Sequence, residues 1–536
     1  MKTIACVLAA CVLCSVAVLA DEEGGHHHHD GGEQLGTVSF PTSCAPAVEK
    51  SFERGVALLH SFWYEEARKQ FEEVEQKDPQ CAMAHWGVAM SLWHQLWSRP
   101  DAAELNLGWK EVQKAQTLAP KTAREREYIA ALAEFYRDPA KRDYQARPEA
   151  YSQAMEKLYG DNPNDLEAGA FYALSLLAAE PPNDTSFANR KKAIAILNKL
   201  FAQEPNHPGL AHYLIHSCDK PQLAALGLDA ARSYARIAPS SPHAVHMPSH
   251  IFARLGLWQE DIQSNLASIA ATQKATEMHM GGEGHKVHAM DFLLYAYLQV
   301  GQDADARKLV DEASAFHPTG EGDMAMYVDY ARVGFAATYY VEMRQWSEAA
   351  ALEPPADMEP INKTVAYWAR TIGSAHLHNA EAARKDVQQF DALVEIVRKS
   401  KYSYMADDAK TDRDEMQAWL AFAENKNEEA LRLMRAVADH QDTVGKPEVA
   451  IPAREMLADM LLETNRPAEA LIEYEKALKT DPNRFNGLYG AARAAELVHQ
   501  TEKANSYYAQ LLKNCDNGAH SERPELTRAK TLLARN

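Results

Sequence analysis

The hydrophobic positions of this chain recur in a fixed figure. Two apolar stretches at helical spacing are joined by a short polar turn, and a proline closes the second. Near the N-terminus Gly55, Ala67, Phe71 and Pro79 take the small, small, aromatic and closing positions. Ala458, Leu461, Ala470, Tyr474, Ala477 and Pro482 repeat the figure late in the chain. Ala504 and Tyr508 then follow Ala470 and Tyr474 at an interval of 34 residues. Small residues at these places let two helices cross closely. Between the ends the register drifts. Val112, Ala115 and Pro120 close one unit after an insertion around Trp97 to Gly108. Ala193, Leu197, Leu200 and Pro205 close another, and Gly227, Ala231, Tyr234 and Pro239 the next. Leu255 to Trp258, followed by Asp261, Asn265 and Ser268, forms one more. Further turns fall at Val300-Gly301, Trp346 to Ala350, Ala380 to Ala383 and Asn427 to Ala430. The pattern predicts an all-α chain of roughly eleven helix pairs. No run alternates with period two for long enough to predict a sheet.

A helix pair of this length with these small, aromatic and proline positions resembles the tetratricopeptide repeat (TPR) family. The resemblance runs from about residue 48 to 515. It implies a right-handed superhelical solenoid of stacked helix-turn-helix repeats with a concave inner face. It also implies a protein or peptide partner in that groove. The chain then divides into a signal peptide (1–20), a flexible His-rich leader (21–47), an N-terminal block (48–352), a C-terminal block (361–516) and a tail (517–536). Glu353 to Pro360 is the best break between the blocks. The segments His212–His216, Val245–Ile251 and Pro482–Glu496 are similar to a narrower group of exported bacterial TPR proteins. That likeness supports fold and export and implies no reaction.

One feature stands apart from the scaffold. His212 and His216 form a His-x3-His pair, and His246 and His250 form a second pair 34 residues later. Numbering each repeat so that its closing proline is 32 puts His212 and His246 at position 5 and His216 and His250 at position 9. In proteins resembling the family, positions 2, 5, 9 and 12 face the groove. His243 takes position 2. In the next repeat His288, Asp291 and Tyr295 take positions 2, 5 and 9. Residues i and i+4 share a helix face, so one helix can offer two imidazoles to one ion. Nine of the 22 histidines lie between His207 and His288. The predicted metal ligands are His212, His216, His246, His250, His243, His288 and Asp291, with Asp219 as an alternative carboxylate. Pro248 makes His246 a cap residue of a helix that starts there. The Gly-rich stretch Met278 to His285 reads as an inter-helix loop that could also act as a lid.

Composition narrows the function classes. The formal net charge is −19 with no basic run, which disfavours nucleic acid. Lys2, the apolar stretch Ile4 to Leu19 and the small residues before Asp21 read as an export signal, periplasmic or secreted. Leu8 to Cys11 resembles a lipoprotein box but comes early, with more apolar chain after it, which argues against lipid anchoring. No other segment is long and apolar enough to span a membrane. His26 to His29 is either a purification tag or a native metal-gathering tract. Cys44 and Cys81 precede the first helices of neighbouring repeats, so a disulfide between them is expected. Trp63, Trp86, Trp93, Trp97 and Trp109 cluster early and read mainly as core. No P-loop, dinucleotide fingerprint, His-Glu-x-x-His or Gly-x-Ser-x-Gly motif occurs.

The sequence therefore predicts an exported TPR binding protein with a transition metal (zinc, copper, iron or nickel) held by imidazoles on its concave face. Two alternatives stay open. One is a metal-free scaffold with a His-lined peptide groove. The other is a metal-dependent enzyme assisted by Asp291 or Tyr295.

Overall fold

The computed structural model describes residues 33–318 and 323–534. The export signal and His26 to His29 lie outside the described residues. Within them every regular element is a helix. Helix pairs follow one another with first helices starting at Glu49, Ala82, Ala123, Leu166, Pro208, Pro242, Glu283, Asp323, Pro360, Lys410, Ala453 and Phe485. That is twelve pairs, one more than the pattern suggested, and Pro524–Leu533 follows the last. The fold is an all-α solenoid of stacked pairs, each helix packing on its sequence neighbours.

The small positions do what the pattern asked of them. A Cβ placed on Gly55 would lie 2.7 Å from the Phe71 ring, and one on Gly87 would lie 2.4 Å from the same ring. Phe71 is thus wedged between the first helices of two successive pairs. Gly490 receives Tyr474 in the same way, at 2.2 Å.

The turns share one backbone device. Phe62, Gly256, Gly301, Arg344, His378, Asn425, Asn465 and His499 all adopt left-handed φ values between the two helices of their pair. Five residues after seven of these turns stands a buried alanine: Ala67, Ala306, Ala349, Ala383, Ala430, Ala470 and Ala504. After Gly256 the same place holds Asp261, also buried.

The leader is not loose over its described part. Phe40 is fully buried, Thr37 N donates to Asn206 O at 2.9 Å, and Gln34 N donates to Ser240 Oγ at 2.8 Å. Apolar Leu35 and Phe40 have core to enter, and burying them offsets the ordering of this irregular segment. Cys44 and Cys81 form a disulfide with Cα atoms 4.7 Å apart.

Gln34–Asn536 form one compact unit, with Glu353 to Pro360 inside it. The chain returns upon itself in two places. Helix Glu49–His60 packs on helix Pro208–Cys218. The C-terminal repeats close on the middle ones. Lys220 Nζ donates to Val444 O, Arg254 Nη1 to Lys446 O and Trp258 Nε1 to Asn483 O, each at 2.9 Å. Arg484 binds Tyr295, Glu342 and Glu455 together. These closures enclose the inner face at the repeats that carry the histidines.

Candidate metal centre

Three neighbouring helix pairs supply the imidazoles. Helix Pro208–Cys218 carries His212 and His216, one turn apart. Pro242–His246 and Pro248–Leu255 carry His243, His246 and His250. Glu283–Val300 carries His285 and His288. A helix does start at Pro248, as its proline requires, yet His246 is not displaced by it. Met247 keeps helical angles (φ −51°, ψ −33°), and its N–H donates to His243 O at 2.9 Å. Pro248 forfeits one backbone donor and leaves the helical path intact. His246 and His250 therefore share a face.

The imidazoles gather into two groups of three. In the first, His212, His216 and His243 offer ring nitrogens that all lie within 4.8 Å of one another. In the second, His246, His250 and His288 do the same. Nε2 of His212 and Nε2 of His243 are 3.2 Å apart, and Nε2 of His246 and Nε2 of His250 are 3.1 Å apart. Two nitrogens bound at roughly 2.0–2.1 Å to one ion lie about 2.9–3.4 Å apart for angles from square to tetrahedral. Both pairs stand at that separation.

The protein fixes which nitrogen faces inward. His212 Nδ1 lies 2.6 Å from the carbonyl of His60, which only accepts, so Nδ1 carries the proton. His250 Nδ1 donates to Asp219 Oδ2 at 2.9 Å, and the other Asp219 oxygen takes Arg254 Nε at 2.9 Å. His246 Nδ1 donates to Asn265 Oδ1 at 2.7 Å. Asn265 is oriented for this because its Nδ2 is used on Asp261, at 2.7 Å to Oδ1. Carbonyl and carboxylate partners on the outer nitrogen are what orient imidazoles on metals. Bare lone pairs cannot face each other at 3.1 Å, so each pair shares either a proton or a cation. A proton accounts for the pairs. It does not account for His216 Nε2, which is buried and has no hydrogen-bond partner.

Burial sets the charge states. It holds His212 and His288 down at about 3 and His285 at about 4, and pushes His216, His243 and His246 well below the ordinary imidazole value. These rings are neutral at pH 7 and free to bind a cation. For His250 burial also pulls downward, but Asp219 and Glu448 outweigh it and raise the ring to about 9. Aromatic rings wall the cluster. Phe62 lies 4.4 Å from the His212 ring, Trp97 4.9 Å from His243 and Phe292 4.7 Å from His250.

The tetratricopeptide repeat family matches residues 63–108 and 415–485. Those two segments match the tetratricopeptide repeat. Among curated proteins none matches it. Solved structures similar to it include the human IFIT1 dimer with m7Gppp-AAAA, at 13% identity, 81% of this chain, 90% of that one and TM-score 0.36. A complex of Naa15/Naa10 bound to HypK-THB is similar at 12% identity, 90% and 74% coverage and TM-score 0.24. A monomeric IFIT1 mutant with Gppp-AAAA follows at 13%, 89%, 95% and 0.35. These scores lend nothing to function.

Against this tetratricopeptide-repeat frame, six of the predicted ligands are brought together: His212, His216, His243, His246, His250 and His288. His212, His243, His246 and His250 are buried, with Phe62 against the first group and Glu448 3.5 Å from His250, while His216 and His288 are half-buried. The carboxylates sit elsewhere than expected. Asp219 holds the outer nitrogen of His250 and the Arg254 guanidinium. Asp291 accepts the Tyr327 hydroxyl at 2.6 Å, and burial raises it to about 6. Tyr295 is taken up by Arg484 and the Ala450 carbonyl, away from the imidazoles. Met278 to Gly282 is pinned over the first repeat: Trp63 Nε1 donates to Gly281 O at 3.2 Å, and Gly281 N donates to Glu66 at 3.3 Å. His285 belongs to the following helix, 5.3 Å from the His243 ring.

Sequence reasoning missed Phe62, Trp97, His60 and Glu448, all distant along the chain. It could have found Asp261 and Asn265. Other pairs carry alanine and then a large apolar residue at those two places, such as Ala67 with Phe71 or Ala470 with Tyr474. A separate group, His60 and His207 on either side of Glu167 at 2.8 and 2.9 Å, is fully hydrogen-bonded through Tyr213 and Leu210 and braces the repeats.

Proposed function

We propose that this chain is an exported binding protein that holds a transition-metal ion in its buried imidazole cluster while its repeats bind a protein or peptide partner. Tetratricopeptide repeats are a protein-interaction scaffold, and the clusters are geometrically able to hold a metal. No helix among the described residues is long and apolar enough to cross a membrane. Export is supported by the apolar leader and by the Cys44–Cys81 disulfide, of a kind that persists in oxidising compartments. Zinc, copper, iron and nickel all suit an all-imidazole site.

The observation that carries the metal reading is the preset tautomers with the partnerless His216 Nε2. Burying a bare polar atom without a partner is costly, and a cation relieves it. The test is metal analysis of the full chain with His26 to His29 replaced by glutamine. A stoichiometric ion that is lost in a His216→Ala, His250→Ala double variant is the expected result. Absence of metal from every preparation, including protein incubated with zinc, copper, iron and nickel salts, refutes it and leaves a metal-free scaffold. An enzymatic reading has one observation in its favour. The Asp291–Tyr327 pair adjoins His288, whose ring is 5.3 Å from Tyr327.

A further inference from the structure

The geometry points to a two-ion centre: we propose that His212, His216 and His243 hold one transition-metal ion, His246, His250 and His288 a second, and that one small anion bridges them. This rests on the metal reading above and deepens it.

The two triads share a wall. The His216 and His250 rings are 6.0 Å apart by centroid, and so are those of His243 and His246. Ions in two-metal sites sit about 3.5–4 Å apart, a spacing that rings in this arrangement can bracket. Each triad also repeats the same design. Each has one Nε2 pair at 3.1–3.2 Å and one further ring. Each has at least one outer nitrogen fixed by an oxygen acceptor. A single-ion site has no use for the second copy.

Charge then specifies the ligand. All six donors are imidazoles, which bring no negative charge. Two divalent ions therefore enter a buried site where the carboxylates in direct contact with a donor ring are Asp219 and Glu448, both on His250. Arg254 pairs with both, at 2.9 and 3.2 Å, so one negative charge is left over. Uncompensated buried charge is costly, and an incoming anion removes part of it. Three imidazoles leave an open position on each ion. The rings of Phe62, Trp97 and Phe292 crowd the donors and favour a ligand of a few atoms, such as hydroxide or azide.

The experiment uses the full chain with His26 to His29 replaced by glutamine, loaded with copper(II). The expected result is two coppers per chain, most of them silent in electron paramagnetic resonance (EPR) through coupling across the bridge. One azide per pair should bind and shift the visible spectrum. His216→Asn and His288→Asn, at the two half-buried positions, should each leave one copper with its full EPR signal. Two coppers that both give full signals overturn the bridge and leave the metal reading standing. A single copper in the parent overturns the pair and also leaves that reading. A variant that keeps both coppers overturns the ligand assignment. No bound copper overturns the pair, and the metal reading falls with it only if zinc, iron and nickel also fail to bind. The parent's copper count and signal decide alone if a variant does not fold.

Discussion

Replacing Arg484 by methionine tests how the C-terminal repeats are locked onto the middle of the solenoid. Its guanidinium is 1% exposed and bridges Glu342, at 2.8 Å, and Glu455, at 2.8 and 2.9 Å. Those carboxylates are 1% and 3% exposed. Methionine fills much of the same volume but leaves two buried acids without a counter-charge. Breaking a buried pair in this way costs about 3–5 kcal/mol. Unfolding entropy is about 2.1 cal/mol/K per residue, so near 500 residues unfolding together give about 1 kcal/mol/K and a midpoint lowered by about 3–5 °C at pH 8. The pH dependence carries the sign. Burial raises Glu455 above its ordinary value even beside Arg484, and losing the guanidinium raises it further. A carboxyl raised in the folded state contributes stability that is present below its unfolded value and is lost as pH rises through the folded one. The deficit should therefore be smallest near pH 4.5 and grow as pH rises through the raised Glu455 range. Differential scanning calorimetry of parent and variant across that range measures it. Adding Glu342→Gln and Glu455→Gln should recover most of the loss. A deficit under about 1 kcal/mol, or one that is flat with pH, would refute the buried-charge account.

Asp219→Asn removes the carboxylate behind His250 and should weaken metal binding 10–100-fold in a chelator competition, a loss of about 1.4–2.7 kcal/mol; unchanged affinity would count against its positioning role. Cys44→Ser with Cys81→Ser opens a loop of 37 residues, and chain entropy puts the cost near 4 kcal/mol, read as a lower midpoint that reducing agent reproduces in the parent. His85 lies 2.7 Å from Glu111 and 2.9 Å from Glu75. Burial lowers its pKa, but the two carboxylates outweigh it and raise the ring to about 9. Its stabilisation is thus complete below about 6.5 and vanishes as pH passes about 9, so the midpoint gap between parent and His85→Gln should close over that interval; a gap that persists at pH 10 speaks against the ion pairs.

The helix pairs were legible because a solenoid is built from local rules. Small residues, aromatic wedges and turn positions recur within one repeat, so the sequence displays them at short range. The histidine register was legible for the same reason: an inner-face position is defined inside its own helix. Closure was not. His212 is fixed by a carbonyl 152 residues away, Trp63 reaches Gly281 across 218, and Arg254 meets Lys446 across 192. No periodicity encodes such meetings, since they depend on the summed rotation of many repeats. That is why Asp219 and Tyr295 were read as ligands or assistants.

The Trp258–Glu277 helix shows what the imidazole cluster costs its scaffold. Its buried face carries Asp261, Asn265, Ser268 and Thr272, where the corresponding helices bury alanine, phenylalanine, valine or tyrosine. Asn265 orients His246, and Ser264 and Ser268 donate to the carbonyls of Val245 and Pro242 at 2.6 and 2.8 Å. These bonds tie down the short helix that Pro248 interrupts. Asp261 keeps one oxygen without a partner, and burial raises it far above the ordinary carboxyl range, so it is neutral there. Exchanging apolar packing for a polar network gives stability away at this repeat. A solenoid can absorb that loss because each repeat draws support from both neighbours. A groove that only gripped peptide would gain nothing from a polar layer behind the histidines. The layer sits behind Nδ1 of His246 and the backbone that carries it, and its evident effect is to hold Nε2 of that ring inward.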